Sequence, residues 1–187
     1  SFFSKCYLTE QKFSNSWMMD VDHFIPQNED NSLIYEWTNL YPAEHKTNMI
    51  RPRNTPIGGY LDPCNDNEDV ETEIIYTLDT SGETPKFFVR NTANTKAVNT
   101  VELLDRVHNG HDNNSIQSTV SLRHLIRKRA YEILEKIIEW QNAIQDSQEK
   151  YQIERDLKDR LSKKSSFTML MRSLPSVIKC LPNDILD

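Results

Sequence analysis

Apolar positions are distributed differently in the two halves of the chain. In the second half Leu122, Leu125, Ile126, Ala130, Ile133, Leu134, Ile137, Ile138 and Trp140 recur close to a helical period of about 3.6 residues. They predict a long helix beginning near Ser121. The mixed-charge stretch 147–165 continues in helical style, with Ile153, Leu157 and Leu161 as a narrower stripe, and "SFTMLMRSL" (166–174) predicts a last helix that Pro175 should stop. The first half reads in shorter runs. "EIIYTL" (73–78) and "KFFVR" (86–90) flank the turn-rich "DTSGETP" and predict a β-hairpin. "NTVELLDRVHNG" (99–110) predicts a short helix ended by Asn109-Gly110, and "HDNNS" (111–115) a loop. The sum is an α+β chain, divided into residues 1–110 and a helical lobe over 116–187.

Composition narrows this reading. With 187 residues, 37% hydrophobic and 27% charged, the chain has the make-up of a polar but folding protein. It contains no apolar run of the roughly 18 residues needed to span a bilayer, and no secretory-signal pattern. Cys6, Cys64 and Cys180 lie far apart and are odd in number, so a disulfide framework is not expected and a cytoplasmic location is. The formal charge of −6 runs against nucleic-acid binding, but the charge is uneven. "KTNMIRPR" (46–53) and "RHLIRKR" (123–129) carry bases and no acid, whereas acids gather in "DPCNDNEDVETE" (62–73). That acidic stretch lacks the glycine and final bidentate Glu of a calcium loop and reads as a solvated loop.

Candidate chemistry lies between residues 17 and 53. "WMMDVDHFIPQNED" ends a short apolar run on Asp22-His23, and "EWTNLYPAEHKTNMIRPR" follows. A strand ending on Asp22-His23, a partner strand near Asn39 and a helix over about 42–50 would gather one carboxylate, one imidazole and two amides. Asp22 and Asn48 offer hard oxygen donors suited to magnesium or manganese. His23, on the opposite strand face, is the candidate general base, since an imidazole ordinarily titrates near ~6.5. Asn39 can neither give nor take a proton in this range, so its expected role is to hold the loop or orient His23. Lys46, Arg51 and Arg53 are placed to meet a phosphate backbone, and Arg123, Arg127, Lys128 and Arg129 either extend that track or form a solvated helix face. Taken singly, each of Asp22, His23, Asn39 and Asn48 is more readily an ordinary turn, solvated or satisfied residue; the ordered set carries the reading. His45 is expected to be exposed or in contact with substrate, and His108 to benefit from a helix C-terminus.

"VDHFIPQNED…EWTNLYPAEHKTNMIRP" resembles the HNH, or ββα-metal, nucleases over roughly residues 5–53. The likeness rests on the Asp-His pair, the apolar residue and Pro after it, an Asn-Leu pair and a closing Asn. It implies a ββα core with His23 as base, Asp22 and Asn48 as ligands of one magnesium or manganese ion, and Asn39 in a supporting place. Within that superfamily "KCYLTEQKF", "EWTNLYPA" and "GGYLDPCNDNEDVETEIIYTL" are most similar to the HNH proteins encoded beside an ABC-type ATPase in antiphage systems, the Septu nuclease and its retron-associated relatives. The resemblance thus implies a defence endonuclease acting on DNA or RNA, transfer RNA included, with an ATPase partner. One departure stands out. Many such proteins hold a structural zinc with two Cys-x-x-Cys pairs, and here those positions are Cys6, Thr9, Glu44 and Thr47. Four soft ligands close a zinc site, so no structural zinc is expected. Tyr7, Phe13, Trp17, Trp37 and Leu40 would brace the motif instead. A non-cleaving HNH-like subunit that binds nucleic acid or a partner is the alternative.

Overall fold

The computed structural model describes residues 2–78 and 84–186. Two small antiparallel sheets sit among helices, so the chain is α+β. A short 3-10 turn leads into β1 (Met19–His23), and a loop containing two further such turns leads into β2 (Leu40–Glu44). These strands pair with Asp22 opposite Tyr41 and His23 opposite Leu40. Helix α1 (His45–Ile50) follows at once, its start capped by the Glu44 carboxylate, which accepts from the Thr47 amide. The expected helix over 42–50 is therefore shorter, because residues 42–44 complete the strand.

A one-turn helix α2 (Val70–Glu73) precedes β3 (Ile74–Leu78), which pairs with β4 (Pro85–Val89) as the expected hairpin. Its turn, 79–83, lies outside the described residues. Helix α3 (Thr95–Asn109) starts four residues before the expected point, because the Asn94 side chain caps it. It ends at Gly110, whose φ of 80° suits glycine; a Cβ there would collide with the backbone of Ser115 and Ile116. The expected loop 111–115 instead opens α4 (Asn113–Ser118), because Asp112 and Ser115 form a reciprocal capping box. The helices α5 (Val120–Asn142) and α6 (Gln148–Leu161) match the two periodic stretches. Helix α7 (Thr168–Arg172) ends before Pro175, which then supplies the first residue of α8 (Pro175–Cys180). No helix among the described residues is long and apolar enough to cross a membrane.

The apolar cores do not divide at residues 110–116. One core joins Ile126, Ile133 and Ile137 of α5 with Leu157 and Leu161 of α6, and the hairpin adds Ile74, Leu78 and Phe87 to it. The other, smaller core sits beneath the ββα unit and contains Cys6, Leu8, Ala43, Ile50 and Tyr60. Helix α3 links them, sending Ala97 and Leu104 into the first and Leu103 and Val107 into the second. His108 ends on this inner side rather than at a solvated helix end. It is 2% exposed, packs 4.8 Å from the Phe87 ring and has Nδ1 2.8 Å from the Leu104 carbonyl. Burial pushes its pKa down to about 4, which leaves it neutral near pH 7.

Candidate active-site cleft

Strand alternation assigns the faces of β1. Asp20 and Asp22 point one way, towards α1; Met19, Val21 and His23 point the other. The strand ends in an open cleft of about 350 Å³ whose walls include Asp22, His23, Asn48, Arg51 and Arg53. Five of the seven residues singled out from the sequence therefore border one space, while Asn39 is buried beside it and Lys46 is exposed on α1.

His23 is held at one ring nitrogen. Its Nε2 lies 3.0 Å from the Ile34 carbonyl, which can only accept, so Nε2 carries the proton and the neutral ring keeps its lone pair on Nδ1. The amide nitrogen of Gln27 lies beside the ring, 3.3 Å from that Nδ1 and 3.2 Å from Nε2. Asn39 organises the loop on which this depends. Its Oδ1 accepts from the Ile25 amide at 2.7 Å, and its Nδ2 donates to the carbonyls of Ile25 and Leu33. Since Leu33 precedes Ile34, Asn39 fixes the carbonyl that orients the imidazole.

Asp22 and Arg51 differ from expectation. Arg51 is 8% exposed and turned inward: Nη1 donates to Asp22 Oδ1 and to the His23 carbonyl, each at 2.8 Å, and Nη2 donates to the Phe24 carbonyl at 2.6 Å. It is a strut beneath the strand end rather than a surface contact for phosphate. The other Asp22 oxygen accepts from the Tyr7 hydroxyl at 2.6 Å. Burial pushes the Tyr7 phenol well above its usual pKa, so it remains a donor. Among the other expected bases, Arg53 is exposed, while Arg129 turns inward to Glu132 and to the Ser165 hydroxyl.

The expected ligand pair, Asp22 with Asn48, has the donor chemistry for a hard cation but not the arrangement. Both Asp22 oxygens are engaged, and a guanidinium stands where a second positive charge would have to enter. Asn48 faces a different carboxylate, with Nδ2 donating to Asp20 Oδ2 at 3.1 Å. His45 meets the same group, its Nδ1 being 3.0 Å from Asp20 Oδ2. Asp20 was missed from the sequence, yet its position was readable: it stands two residues before Asp22, and His45, Asn48 and Arg51 follow at three-residue steps.

The four positions at which the resembled family holds zinc also gather. The buried Cys6 thiol has the Thr9 side chain and the Glu44 backbone as neighbours, and the Thr47 hydroxyl donates to Glu44. Trp17 and Trp37, expected as braces, are instead 92% and 86% exposed. Bracing comes from Tyr7, Phe24 and Tyr41, whose rings pack in sequence, Tyr7 edge-on to Tyr41 and Phe24 tilted against it, with both centroid separations 5.2 Å. Among the described residues no group of three or more His, Cys, Asp or Glu is placed to hold a metal ion. Compared with protein-family profiles, curated proteins and solved structures, the chain matches none.

Proposed function

We propose that this chain is an HNH-type endonuclease of the cytoplasm that hydrolyses a phosphodiester bond in DNA or RNA. The observation that carries the reading is His23: one nitrogen fixed by a carbonyl, the other bordering a cleft at the end of a ββα unit. The convergence of Cys6, Thr9, Glu44 and Thr47, chosen only from the sequence likeness, supports the same assignment. In the proposed step Nδ1 removes a proton from water as its oxygen bonds to phosphorus, and the bond from phosphorus to the leaving oxygen breaks. Asn39 keeps the imidazole in register through the loop, and Arg53 offers the cleft a phosphate contact. Divalent-metal dependence and an ABC-type ATPase partner in phage defence belong to this proposal through the resemblance alone. No step is assigned to a metal on Asp22 and Asn48.

A second reading has its own observation. The buried Asp22–Arg51 ion pair occupies the carboxylate that a cutting site would use, as expected of an HNH scaffold that grips nucleic acid or a partner without cleaving it. Cleavage by the purified chain, alone and with neighbouring gene products, in Mg2+, Mn2+ or EDTA, separates the two. The nuclease reading expects metal-dependent cutting that His23→Ala lowers at least ~100-fold with the fold intact. Wild-type rates from that variant would remove His23 from the chemistry.

A further inference from the structure

The two carboxylates on the inner face of β1 receive opposite treatment from α1. Asp22 meets a fixed positive charge, the Arg51 guanidinium at 2.8 Å. Asp20 meets an amide and an imidazole, neither of which carries a permanent charge: Asn48 Nδ2 lies 3.1 Å from Oδ2, and His45 Nδ1 lies 3.0 Å from Oδ2 and 3.2 Å from Oδ1. The spacing that produces this is regular. Residues 45 and 48 are one helical turn apart and project to the same side of α1.

These separations suit a shared ion. Adjacent ligands of an octahedral divalent cation, each at about 2.1 Å from the metal, stand about 3 Å from one another. A half-turn of the Asn48 amide exchanges Nδ2 for Oδ1 in the same place, giving an amide oxygen beside a carboxylate oxygen. A neutral His45 ring protonated at Nε2 would offer its Nδ1 lone pair beside the same Asp20 oxygen. The Asp20 and His45 side chains are 32% and 59% exposed, leaving other coordination positions to water or phosphate oxygens. Asn48 also borders the cleft.

We propose that Asp20, Asn48 and His45 form a divalent-cation site at the edge of the cleft, and that Asp22 serves as the internal counter-ion of Arg51. Two oxygen donors accept magnesium or manganese, and the imidazole nitrogen favours manganese. The site takes up the metal question left open by the nuclease reading but stands without it, since cation binding requires no cleavage.

The test is titration of Mn2+ alone into the full chain, with free ion followed by electron paramagnetic resonance and folding by circular dichroism. Wild type is expected to show one saturable site. Asp20→Asn should weaken it at least about tenfold, the cost already seen for losing merely supporting groups around a metal. Asn48→Asp should tighten it by adding a carboxylate, and His45→Ala should reduce the preference for Mn2+ over Mg2+. Asp22→Asn, if folded, should bind as wild type. No saturable binding by wild type, unchanged binding by Asp20→Asn, or loss confined to Asp22→Asn would each overturn the site. Cleavage assays on the same variants keep the proposals apart. Cutting that persists with Asp20→Asn binding unchanged removes the site and leaves the nuclease, whereas Mn2+ binding without cutting does the reverse.

Discussion

The ββα unit and the helical lobe are stabilised by different means. In the lobe, fully buried aliphatic side chains such as Ile126, Ile133, Leu157 and Leu161 pack against one another. Around the cleft polar side chains are buried too: Arg51, Asp22 and Asn39 are each under 10% exposed and held by directed hydrogen bonds. Several large apolar groups there are turned outward: Trp17, Tyr35, Trp37 and Met49 are all at least 74% exposed. The contrast teaches that the site is positioned by geometry-specific contacts, which fix His23 closely but tolerate little change. Apolar packing is non-directional and spreads the effect of a substitution over many neighbours.

Substitutions at matched depth test this difference. Arg51→Ala strands the Asp22 carboxylate in a buried place and should cost ~3–5 kcal/mol. Replacing the pair together, as Arg51→Met with Asp22→Leu, should recover much of that loss in chemical denaturation. Equal damage from the double variant would mean that the pair is not what holds the strand end. Leu157→Ala, at 0% exposure in the lobe, should cost ~2–5 kcal/mol through its cavity. No compensating partner is expected to rescue it.

Acid should act through the junction of the two regions. His108 has a folded pKa of about 4, below the ~6.5 of an unfolded chain. As pH falls the unfolded state therefore takes up the proton first. The stabilisation is complete above ~6.5 and is lost progressively down to about 4, amounting to roughly 3 kcal/mol. Urea melts at pH 7.5, 5.5 and 4.5 should show this slope in wild type and a shallower one in His108→Gln. Parallel slopes would clear His108 of the effect. The smallest change is expected at Trp37→Ala, within ~0.5 kcal/mol, because an 86% exposed ring contributes little to folding. A larger loss would show that this ring packs against the ββα unit in solution.

Much of this was legible in local pattern. The 3.6-residue period located α5 and α6, the short runs flanking a turn-rich segment located β3 and β4, and Asn109-Gly110 located the end of α3. The Asp22-His23 strand end, a partner strand near Asn39 and a helix carrying Asn48 could also be read, because each depends on neighbours within a few residues. Side-chain pairing across elements could not. That Arg51 would turn inward to Asp22 depends on α1 folding back across β1, a contact between residues 29 positions apart in the chain. The same crossing brought Asn48 to Asp20 rather than to Asp22.

The sequence by itself determined where the two long helices and the hairpin run and that His23 takes the face of β1 opposite Asp22, since periodicity and turn chemistry are local. Only the tertiary structure decided that α3 joins two cores, that His108 is interior, and that one of two carboxylates on the same face receives a guanidinium while the other receives an amide and an imidazole. The reason is physical: direction along an element is set by backbone geometry, whereas burial and charge pairing are set by what the rest of the chain brings against it.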